Sequence, residues 1–270
     1  MFYPVMIDLD EDETRIDRAT VVLNPAASKR LLGKAVAALP EVQGAYLRGR
    51  LSISTGSTCD FVVEELTGDK IDPYRYCVGM VAGGQLSSSC PEDRDAARFL
   101  VKGELQQMDA LKFFDTFEKG DVVIKGGNAV DLEGNAGVIV ANNQGGTIGG
   151  VMSFLAVRGI PLIMPIGLEK SIGSVVEAAN GWGQLTQSKT MGLHVWLYPV
   201  TSGLVVTEIE ALGILAGVAA RHVASGGIAG SEGAVVLLIE GSKKNVQKAW
   251  DIVQSVKDEP PIEVPRHKFS

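Results

Sequence analysis

Two segments rich in glycine, serine and threonine contain the residues best suited to bind a ligand. The first is Ser54-Thr55-Gly56-Ser57-Thr58 and the second is Asn142-Asn143-Gln144-Gly145-Gly146-Thr147. Each follows an apolar run that predicts a buried strand, and each precedes a stretch with helical periodicity. A turn between a strand and a helix brings free N–H groups and the positive end of a helix dipole to one point. We predict that both segments bind a phosphate or carboxylate group. The simpler alternative is that they are tight turns that bind nothing.

The spacing within these segments excludes two common nucleotide-binding motifs. The second segment continues as Gly145-Gly146-Thr147-Ile148-Gly149-Gly150. It lacks the Lys-Ser/Thr pair of a P-loop and the G-x-G-x-x-G spacing of a dinucleotide-binding fingerprint. The predicted site is therefore a generic anion site. We expect the two segments to meet at the carboxyl edge of one sheet.

Two lysines are the strongest candidates for chemistry beside these segments. Lys125 stands at a predicted strand end, where it can bind an anion or, if desolvated, act as an amine nucleophile. Lys170 lies near a predicted helix start, where its charge opposes the helix dipole. A solvated surface lysine is the alternative for each. The turn residues Gly126, Gly127 and Asn128 complete the predicted ligand-binding set, and the candidate catalytic residues are Lys125, Asp131, Glu133 and Lys170.

Composition limits the classes of partner. The chain has 270 residues, of which 46% are hydrophobic, and its formal net charge is −7. An acidic chain without a basic run argues against a nucleic-acid or anionic-membrane partner. No apolar run approaches the roughly 20 residues that a membrane span requires, and the first residues do not resemble a secretory signal.

The cysteines and histidines indicate neither a metal site nor a bound cofactor. Cys59, Cys77 and Cys90 form no C-x-x-C pair, and the three histidines are distant in sequence. An odd number of scattered cysteines is typical of reduced thiols, so we expect a cytoplasmic protein.

Alternating strand and helix patterns predict an α/β fold with a mostly parallel, Rossmann-like sheet flanked by helices. We divide the chain into an α/β domain over 1–191, which carries the glycine-rich loops, and a smaller α/β subdomain with a tail over 192–270. The predicted strands are 51–54, 74–81, 99–102, 121–124, 136–141, 160–166, 193–200 and 234–239. The predicted helices include 26–39, 57–66, 108–117, 169–179 and 207–223, with 82–94 as a loop.

The helix predicted over 207–223 is apolar on more than one face. Its residues Ile209, Leu212, Leu215 and Val218 together form an apolar surface that is wider than the stripe which a single packing contact would cover. We therefore expect a homo-oligomer, a dimer or larger. Glu208, at the start of this helix, is expected to be a surface charge.

Four motifs in order resemble ribose-5-phosphate isomerase A. The segment ISTGSTCDFVVEE at 53–65 resembles its G-T-G-S-T strand–loop–helix, and DVVIKGGNAVD at 121–131 resembles its strand followed by D-G-A-D-E. The segment 142–150 lies where that family has K-G-G-G-G, and 160–170 resembles the strand that ends in D-E-S-K. The resemblance covers about 51–171. It implies the superfamily fold shared by this isomerase, glucosamine-6-phosphate deaminase and the CoA-transferases.

The departures from this resemblance concern the catalytic groups. Lys125-Gly126-Gly127-Asn128-Ala129 replaces D-G-A-D-E, so both acidic positions are lost. The lysine of K-G-G-G-G has no counterpart, and no Asp or Glu occurs between Glu133 and Glu169. Aldose–ketose isomerisation needs a base beside the carbonyl. We therefore expect negligible ribose-5-phosphate isomerisation.

The sequence leaves three functions open. The first is binding of a small phosphorylated or carboxylated metabolite, with sugar-phosphate isomerase-like chemistry as one version. The second is a CoA-transferase-like or CoA-binding protein, since Gly230-Ser231-Glu232-Gly233 resembles the S-E-N-G segment that supplies the nucleophilic glutamate of CoA-transferases. The third is a sensor without catalysis, which needs only backbone donors and neutral side chains.

Overall fold

The computed structural model describes residues 1–266, in which fourteen strands and eight α-helices form a mixed α/β fold. In chain order these are β1 (Asp17–Leu23), α1 (Pro25–Ala37), α2 (Pro40–Arg48), β2 (Arg50–Ile53), α3 (Cys59–Thr67), β3 (Gly79–Ala82), β4 (Gln85–Ser88), β5 (Arg98–Val101), β6 (Glu104–Gln106), α4 (Ala110–Asp115), β7 (Val122–Ile124), β8 (Ala129–Val130), β9 (Ala136–Val140), α5 (Gly146–Arg158), β10 (Leu162–Pro165), α6 (Val175–Ala179), β11 (Trp196–Val200), β12 (Leu204–Val206), α7 (Glu208–Ala216), β13 (Ala219–Ser225), β14 (Val235–Gly241) and α8 (Lys243–Val256).

The central element is a six-stranded sheet in the order β12-β10-β7-β2-β5-β6. Its first four strands are parallel, whereas β5 pairs antiparallel with β2 and β6 pairs antiparallel with β5. The prediction of an α/β fold with a mostly parallel sheet is confirmed. The Rossmann-like assignment stays a prediction.

Alternation along the parallel strands explains why both faces of this sheet are covered. In β7, Val122 and Ile124 belong to one hydrophobic cluster, whereas Val123 belongs to another. In β10, Ile163 joins the first cluster and Met164 the second. The first cluster packs the sheet against α1, α2, α3 and α7, and it continues to α8 and to the sheet that contains β1 and β14. The second cluster packs the central sheet against α4 and α5. Strands buried on both faces are near-continuous apolar runs, which is why the sequence predicts them well.

Helix α1 positions the first glycine-rich segment through its contact with α3. The helix begins where Asn24 accepts a hydrogen bond from Ala27 N at 2.8 Å, with Pro25 in its first turn. Its Gly33 lies so close to α3 that an added Cβ would stand 2.5 Å from Phe61 Cβ. Glycine at this position therefore lets α3 and the preceding loop approach the sheet.

The second segment does not follow a strand of the central sheet, so the prediction that both segments follow one sheet is wrong. Strand β9 pairs antiparallel with β8 and β11 in a separate three-stranded sheet. The turn between β8 and β9 is held by Asp131, whose carboxylate accepts from Asn135 N at 2.9 Å. This local hairpin takes β9 out of the parallel order, which an apolar run alone does not reveal.

Sheets also cross the predicted boundary at residue 191. Strand β11 pairs with β9, β12 joins β10 in the central sheet, and β14 pairs with β1 and β13. The division into two domains stays a prediction, and it must accommodate these pairings.

Several predicted elements are wrong in part, each for a local reason. Within the strand predicted over 74–81, residues 73–76 form a turn in which Asp72 accepts from Tyr74 N. The loop predicted over 82–94 contains β4, because Gly83 and Gly84 have φ of 58° and 73° and close a hairpin with β3. The helix predicted over 169–179 is reduced to α6, which starts at its Ser174 cap.

The helix predicted over 207–223 ends at Gly217, whose φ is 70°, and the chain continues as β13. Its apolar residues pack within the chain: Leu212 and Val218 are buried, and Ile209 and Leu215 contact the same cluster. These residues therefore need no second copy of the chain to bury them. Self-association stays a prediction, which light scattering tests. Within residues 1–266 no helix combines the length and apolarity that crossing a lipid bilayer would need.

Candidate functional site

A cavity of about 320 Å³ opens at the carboxyl ends of β2 and β7. The first glycine-rich segment contributes Thr55 to Thr58, and the turn after β7 contributes Lys125 to Asn128. The second segment reaches the same cavity from the other sheet with Asn142 and 145–147. Elements of two sheets thus bring both predicted ligand segments to one cavity.

Lys125 is the first residue after β7, and its backbone N donates to Ile163 O at 3.0 Å. Its side chain is half-buried in the cavity lining. Within residues 1–266 its ammonium group has no hydrogen-bond acceptor and no carboxylate in a salt bridge. Burial lowers the pKa of Lys125, against a smaller opposing influence of the Cys59 and Cys77 thiols.

Lys170 reaches the cavity from a short 3-10 turn after β10. Its Nζ donates to Gly127 O at 3.0 Å, which fixes the amine beside the turn that carries Lys125. Burial lowers the pKa of Lys170, and the positive charge of Lys29 lowers it further. Glu169 acts in the opposite direction, but it is 3.4 Å from Lys29 Nζ, with which it forms a salt bridge.

The start of α5 presents backbone donors to the cavity. Gly145 has a φ of 80°, and Asn142 Oδ1 accepts from Gln144 N at 2.8 Å, which closes the turn. The first i to i−4 bond runs from Gly149 N to Gly145 O. The N–H groups of Thr147 and Ile148 precede this bond, as the first donors of any helix do. They are therefore available to an acceptor in the cavity.

The first segment is held by a buried tyrosine. Gly56 N donates to Tyr76 O at 2.7 Å, and the Tyr76 hydroxyl donates to Ile53 O at 2.7 Å. Cys59 lies fully buried below the segment, and burial raises the pKa of its thiol to about 11. A thiol with such a pKa stays protonated near neutral pH, so Cys59 contributes packing and not a nucleophile.

Five predicted site residues do not line this cavity: Ser54, Asp131, Glu133, Asn143 and Gln144. Asp131 is buried, and its carboxylate accepts from Val175 N, Asn135 N, Asn135 Nδ2 and Glu133 N. Glu133 is exposed on the same turn. Both carboxylates belong to the β8–β9 turn, and we do not include them in the functional proposal.

Sequence reasoning missed one wall of the cavity. The hairpin of β3 and β4 contributes Met80, Val81 and Leu86, which line the cavity together with Val138 and Val195. The Gly83-Gly84 pair was a signal for this hairpin, since it is typical of two-residue hairpin turns. Lys125 and Lys170 are the charged residues of this lining, which otherwise combines apolar side chains with hydroxyl and amide groups.

A second compartment of about 740 Å³ continues from the first past Ser57, Asn128 and Lys170. It is lined on its far side by Lys29 and Glu169, and by a chain segment after α8 that includes Glu259, Pro261, Ile262 and Val264. Glu232, in the segment that resembles the CoA-transferase glutamate, also lines this compartment.

Glu208 is completely buried, so the prediction of a surface charge is wrong. Its Oε2 accepts from Leu168 N at 2.9 Å, whereas its Oε1 has no partner in the described part of the chain. Burial raises the pKa of this carboxyl group, although its hydrogen bonds oppose that rise. Glu208 supports the turn that carries Lys170 from behind the cavity.

No group of His, Cys, Asp and Glu side chains between residues 1 and 266 is arranged to hold a metal ion. Comparison of the chain with protein-family models and with curated proteins found no match. The geometry of the cavity therefore carries the functional argument.

Proposed function

We propose that the cavity binds a small metabolite through a phosphate or carboxylate group, with Lys125, Lys170 and the two glycine-rich segments as its partners. The observation that carries this proposal is the pair of lysines, neither of which forms a salt bridge with a carboxylate of residues 1–266. The chain as a whole has a net charge of −7, so this local excess of positive charge is not a consequence of composition.

Charge and desolvation favour an anionic occupant. A partly buried ammonium group without a counter-ion is unfavourable, because burial removes part of its hydration and no carboxylate of the cavity lining supplies a compensating charge. An anion between Lys125 and Lys170 would provide that charge. The N–H groups of Thr147 and Ile148 would add hydrogen bonds of the kind that helix N-termini give to phosphates.

The size of the cavity suits a small ligand. A volume of about 320 Å³ lies at the lower end of the usual range for small-molecule sites. The adjoining compartment provides room for a longer molecule. The superfamily resemblance remains part of this proposal, supported by the parallel strands β2, β7 and β10, whose carboxyl ends carry three of its four motifs. The fourth motif, at 142–150, follows β9 of the separate sheet and does not add to this support.

A sugar-phosphate isomerase-like reaction lacks its base in the first cavity, since no carboxylate contributes to that lining. A sensor without catalysis needs no such group and remains the alternative for the first cavity. One observation favours a CoA-transferase-like alternative: Glu232 lines the second compartment together with Lys170. Stronger stabilisation by CoA esters than by simple phosphates would favour this alternative.

The free, buried thiols of Cys59, Cys77 and Cys90 support a reducing, cytoplasmic location as part of the proposal.

Thermal unfolding with added anions tests the proposal. A ligand that binds only the folded protein at 100 times its Kd stabilises it by about 2.7 kcal/mol. We expect inorganic phosphate, sugar phosphates or small carboxylates to raise the Tm. Lys170→Met should abolish most of this rise, whereas Lys189→Met, a change of an exposed lysine outside the cavity, should retain it. An equal rise in both variants would contradict the proposal.

A further inference from the structure

We propose that Lys125 forms an imine with an aldehyde or ketone group of the anionic metabolite bound in this cavity. This inference rests on the proposed function, and it adds a covalent step to it. The substrate class is a small molecule that carries both a carbonyl group and a phosphate or carboxylate.

The side-chain environment distinguishes Lys125 from the two other lysines of the cleft. Lys170 Nζ is occupied by its hydrogen bond to Gly127 O, and Lys29 Nζ by Glu169. Lys125 Nζ has neither a hydrogen-bond acceptor nor a salt-bridge carboxylate among the described residues. An amine without these partners loses no interaction when it gives up its proton and attacks a carbonyl carbon.

The backbone and walls around Lys125 suit a nucleophile. Lys125 directly follows β7, which lies between β2 and β10 in the central sheet. The hydrogen bond from its backbone N to Ile163 O anchors it there. Apolar side chains of Val138, Val140 and Ile148 form part of the same lining. A desolvated lysine on a rigid strand end is the arrangement that increases the neutral amine fraction near neutral pH. The lowered pKa of Lys125 agrees with this arrangement.

The two lysines then have different roles. Lys170 and the N–H groups of the glycine-rich segments hold the anionic group, and Lys125 meets the carbonyl. The lone pair of Lys125 Nζ forms a bond to the carbonyl carbon, and the electrons of the C=O π bond move to the oxygen. That oxygen takes a proton from the Lys170 ammonium group. The nitrogen of the new C–N bond then gives a proton to Lys170, which restores the Lys170 ammonium group.

Loss of water completes the step. The carbinolamine hydroxyl takes a proton from the Lys170 ammonium group and leaves as one molecule of water, while the nitrogen lone pair forms the C=N bond. The nitrogen then returns its remaining proton to Lys170. The products are the imine and water, so no oxidant, reductant or further reactant is needed. Protonation of the imine nitrogen gives an iminium ion, which draws electrons from the adjacent carbon as covalent amine catalysis requires.

Reductive trapping tests this inference on the full chain. The probes are glyoxylate and glycolaldehyde phosphate, which combine an aldehyde with a carboxylate and a phosphate, and cyanoborohydride reduces any imine to a stable secondary amine. At about pH 7, where an ordinary lysine of pKa about 10.4 is almost fully protonated, peptide mapping should find Lys125 modified at least about tenfold faster than the exposed Lys189 and Lys243. Lys125→Arg keeps a cation but cannot form an imine, and it should lose the adduct.

Phosphate stabilisation of the same samples separates failure of the imine from failure of binding. If inorganic phosphate raises the Tm but neither probe labels Lys125, the imine is overturned and the binding proposal stands. If phosphate has no effect and no adduct forms, both are overturned. Preferential labelling of Lys170 or of exposed lysines also overturns the assignment to Lys125. A labelling rate at Lys125 that levels off at lower pH than the rate at Lys189 supports it.

Discussion

Two regions of this molecule bury positive charge, and they do so in opposite ways. Between α1 and α3, Arg30 donates from Nη1 to Glu64 at 2.7 Å and from Nε to Glu259 at 2.8 Å, and it lies 4.0 Å above the Phe61 ring. In the cavity, Lys125 and Lys170 are partly buried and form no salt bridge with a carboxylate of residues 1–266. The first region pairs its positive charge with carboxylates of the chain, whereas in the second region the described residues supply no such carboxylate.

The difference separates groups that serve the fold from groups that serve a site. Paired and hydrogen-bonded charges stabilise the folded state against the loss of water, whereas unpaired ones are retained at a cost in stability. Carboxylates show the same contrast. Asp131 accepts four hydrogen bonds at the β8–β9 turn, whereas the buried Asp60 and Glu208 each have one oxygen without a partner within residues 1–266.

Removal of the best-satisfied carboxylate should give the largest effect. Asp131→Ala leaves the buried N–H groups of Asn135 and Val175 without an acceptor, at about 1–3 kcal/mol for each group. We expect a loss of about 4 kcal/mol in the free energy of unfolding, measured by urea denaturation at pH 7. Glu133→Ala, on the exposed side of the same turn, should change it by less than about 0.5 kcal/mol.

The pH dependence sharpens this prediction. Burial alone would raise the pKa of Asp131, but the N–H donors, with Val175 first, hold it below the usual value of 3.8. A depressed carboxyl pKa contributes stability above the unfolded-state value, and this stability is lost as the pH falls through the folded-state value. The difference between Asp131→Ala and the wild type should therefore shrink below about pH 4. A constant difference down to pH 2 would contradict the account.

The second prediction concerns the removal of Arg30, the cation that forms ion pairs. The Arg30 side chain is 14% exposed, so breaking its ion pairs should cost less than the 3–5 kcal/mol typical of a fully buried pair. Arg30→Met leaves Glu64, Glu65 and Glu259 close to one another, and we expect a loss of about 3 kcal/mol in denaturant unfolding. Lys34→Met removes a more exposed partner of Glu65 and should cost less than about 1 kcal/mol. Equal effects of the two changes would remove the basis of the comparison.

The strands of the central sheet could be predicted because their sequence and their environment agree. Strands β2, β7 and β10 are buried on both faces, and their apolar runs end within one or two residues of the predicted bounds. Strand β13 could not be predicted in this way, since most of its residues are exposed and it directly continues an apolar helix. Gly217 was the available signal for that break.

The candidate site could be predicted as far as it depends on local sequence. The glycine-rich turns and the lysines after β7 and β10 are local features, and the meeting of the first segment with the two lysines follows from the carboxyl edge of the parallel strands. The arrival of the second segment from the separate β8-β9-β11 sheet could not be predicted in this way. The wall from the β3–β4 hairpin, the segment after α8 and the burial of Glu208 depend on contacts between residues far apart in the chain. Such contacts leave no periodic pattern.

The third prediction concerns Asp60, an acid whose environment is the opposite of that of Asp131. Burial raises the pKa of Asp60 to about 7. Between the unfolded-state pKa of about 4 and this value, the folded state binds more protons than the unfolded state, so this group's contribution to stability falls as the pH rises. We therefore expect the free energy of unfolding of Asp60→Asn, taken relative to that of the wild type, to increase by about 2 kcal/mol as the pH rises from 5 to 8. Asp69→Asn, at an exposed carboxylate on the loop after α3, should show no such trend, and a flat profile for Asp60→Asn would refute the assignment.

The smallest expected change in stability bears most directly on the comparison of the two cations. Lys125→Met replaces an unpaired amine by an apolar side chain of similar length, and such replacements are neutral or stabilising in apolar surroundings. We expect the free energy of unfolding without ligand to rise by about 1 kcal/mol at pH 7, in contrast to the loss on Arg30→Met.

Because burial lowers the folded-state pKa of Lys125, the unfavourable contribution of this residue to stability is full below that pKa. This contribution declines as the pH rises towards the unfolded-state pKa of about 10.4. The advantage of Lys125→Met should therefore decline over the same interval, and its response to phosphate should be lost. Destabilisation by Lys125→Met with an unchanged phosphate response would show that Lys125 serves the fold, as Arg30 does.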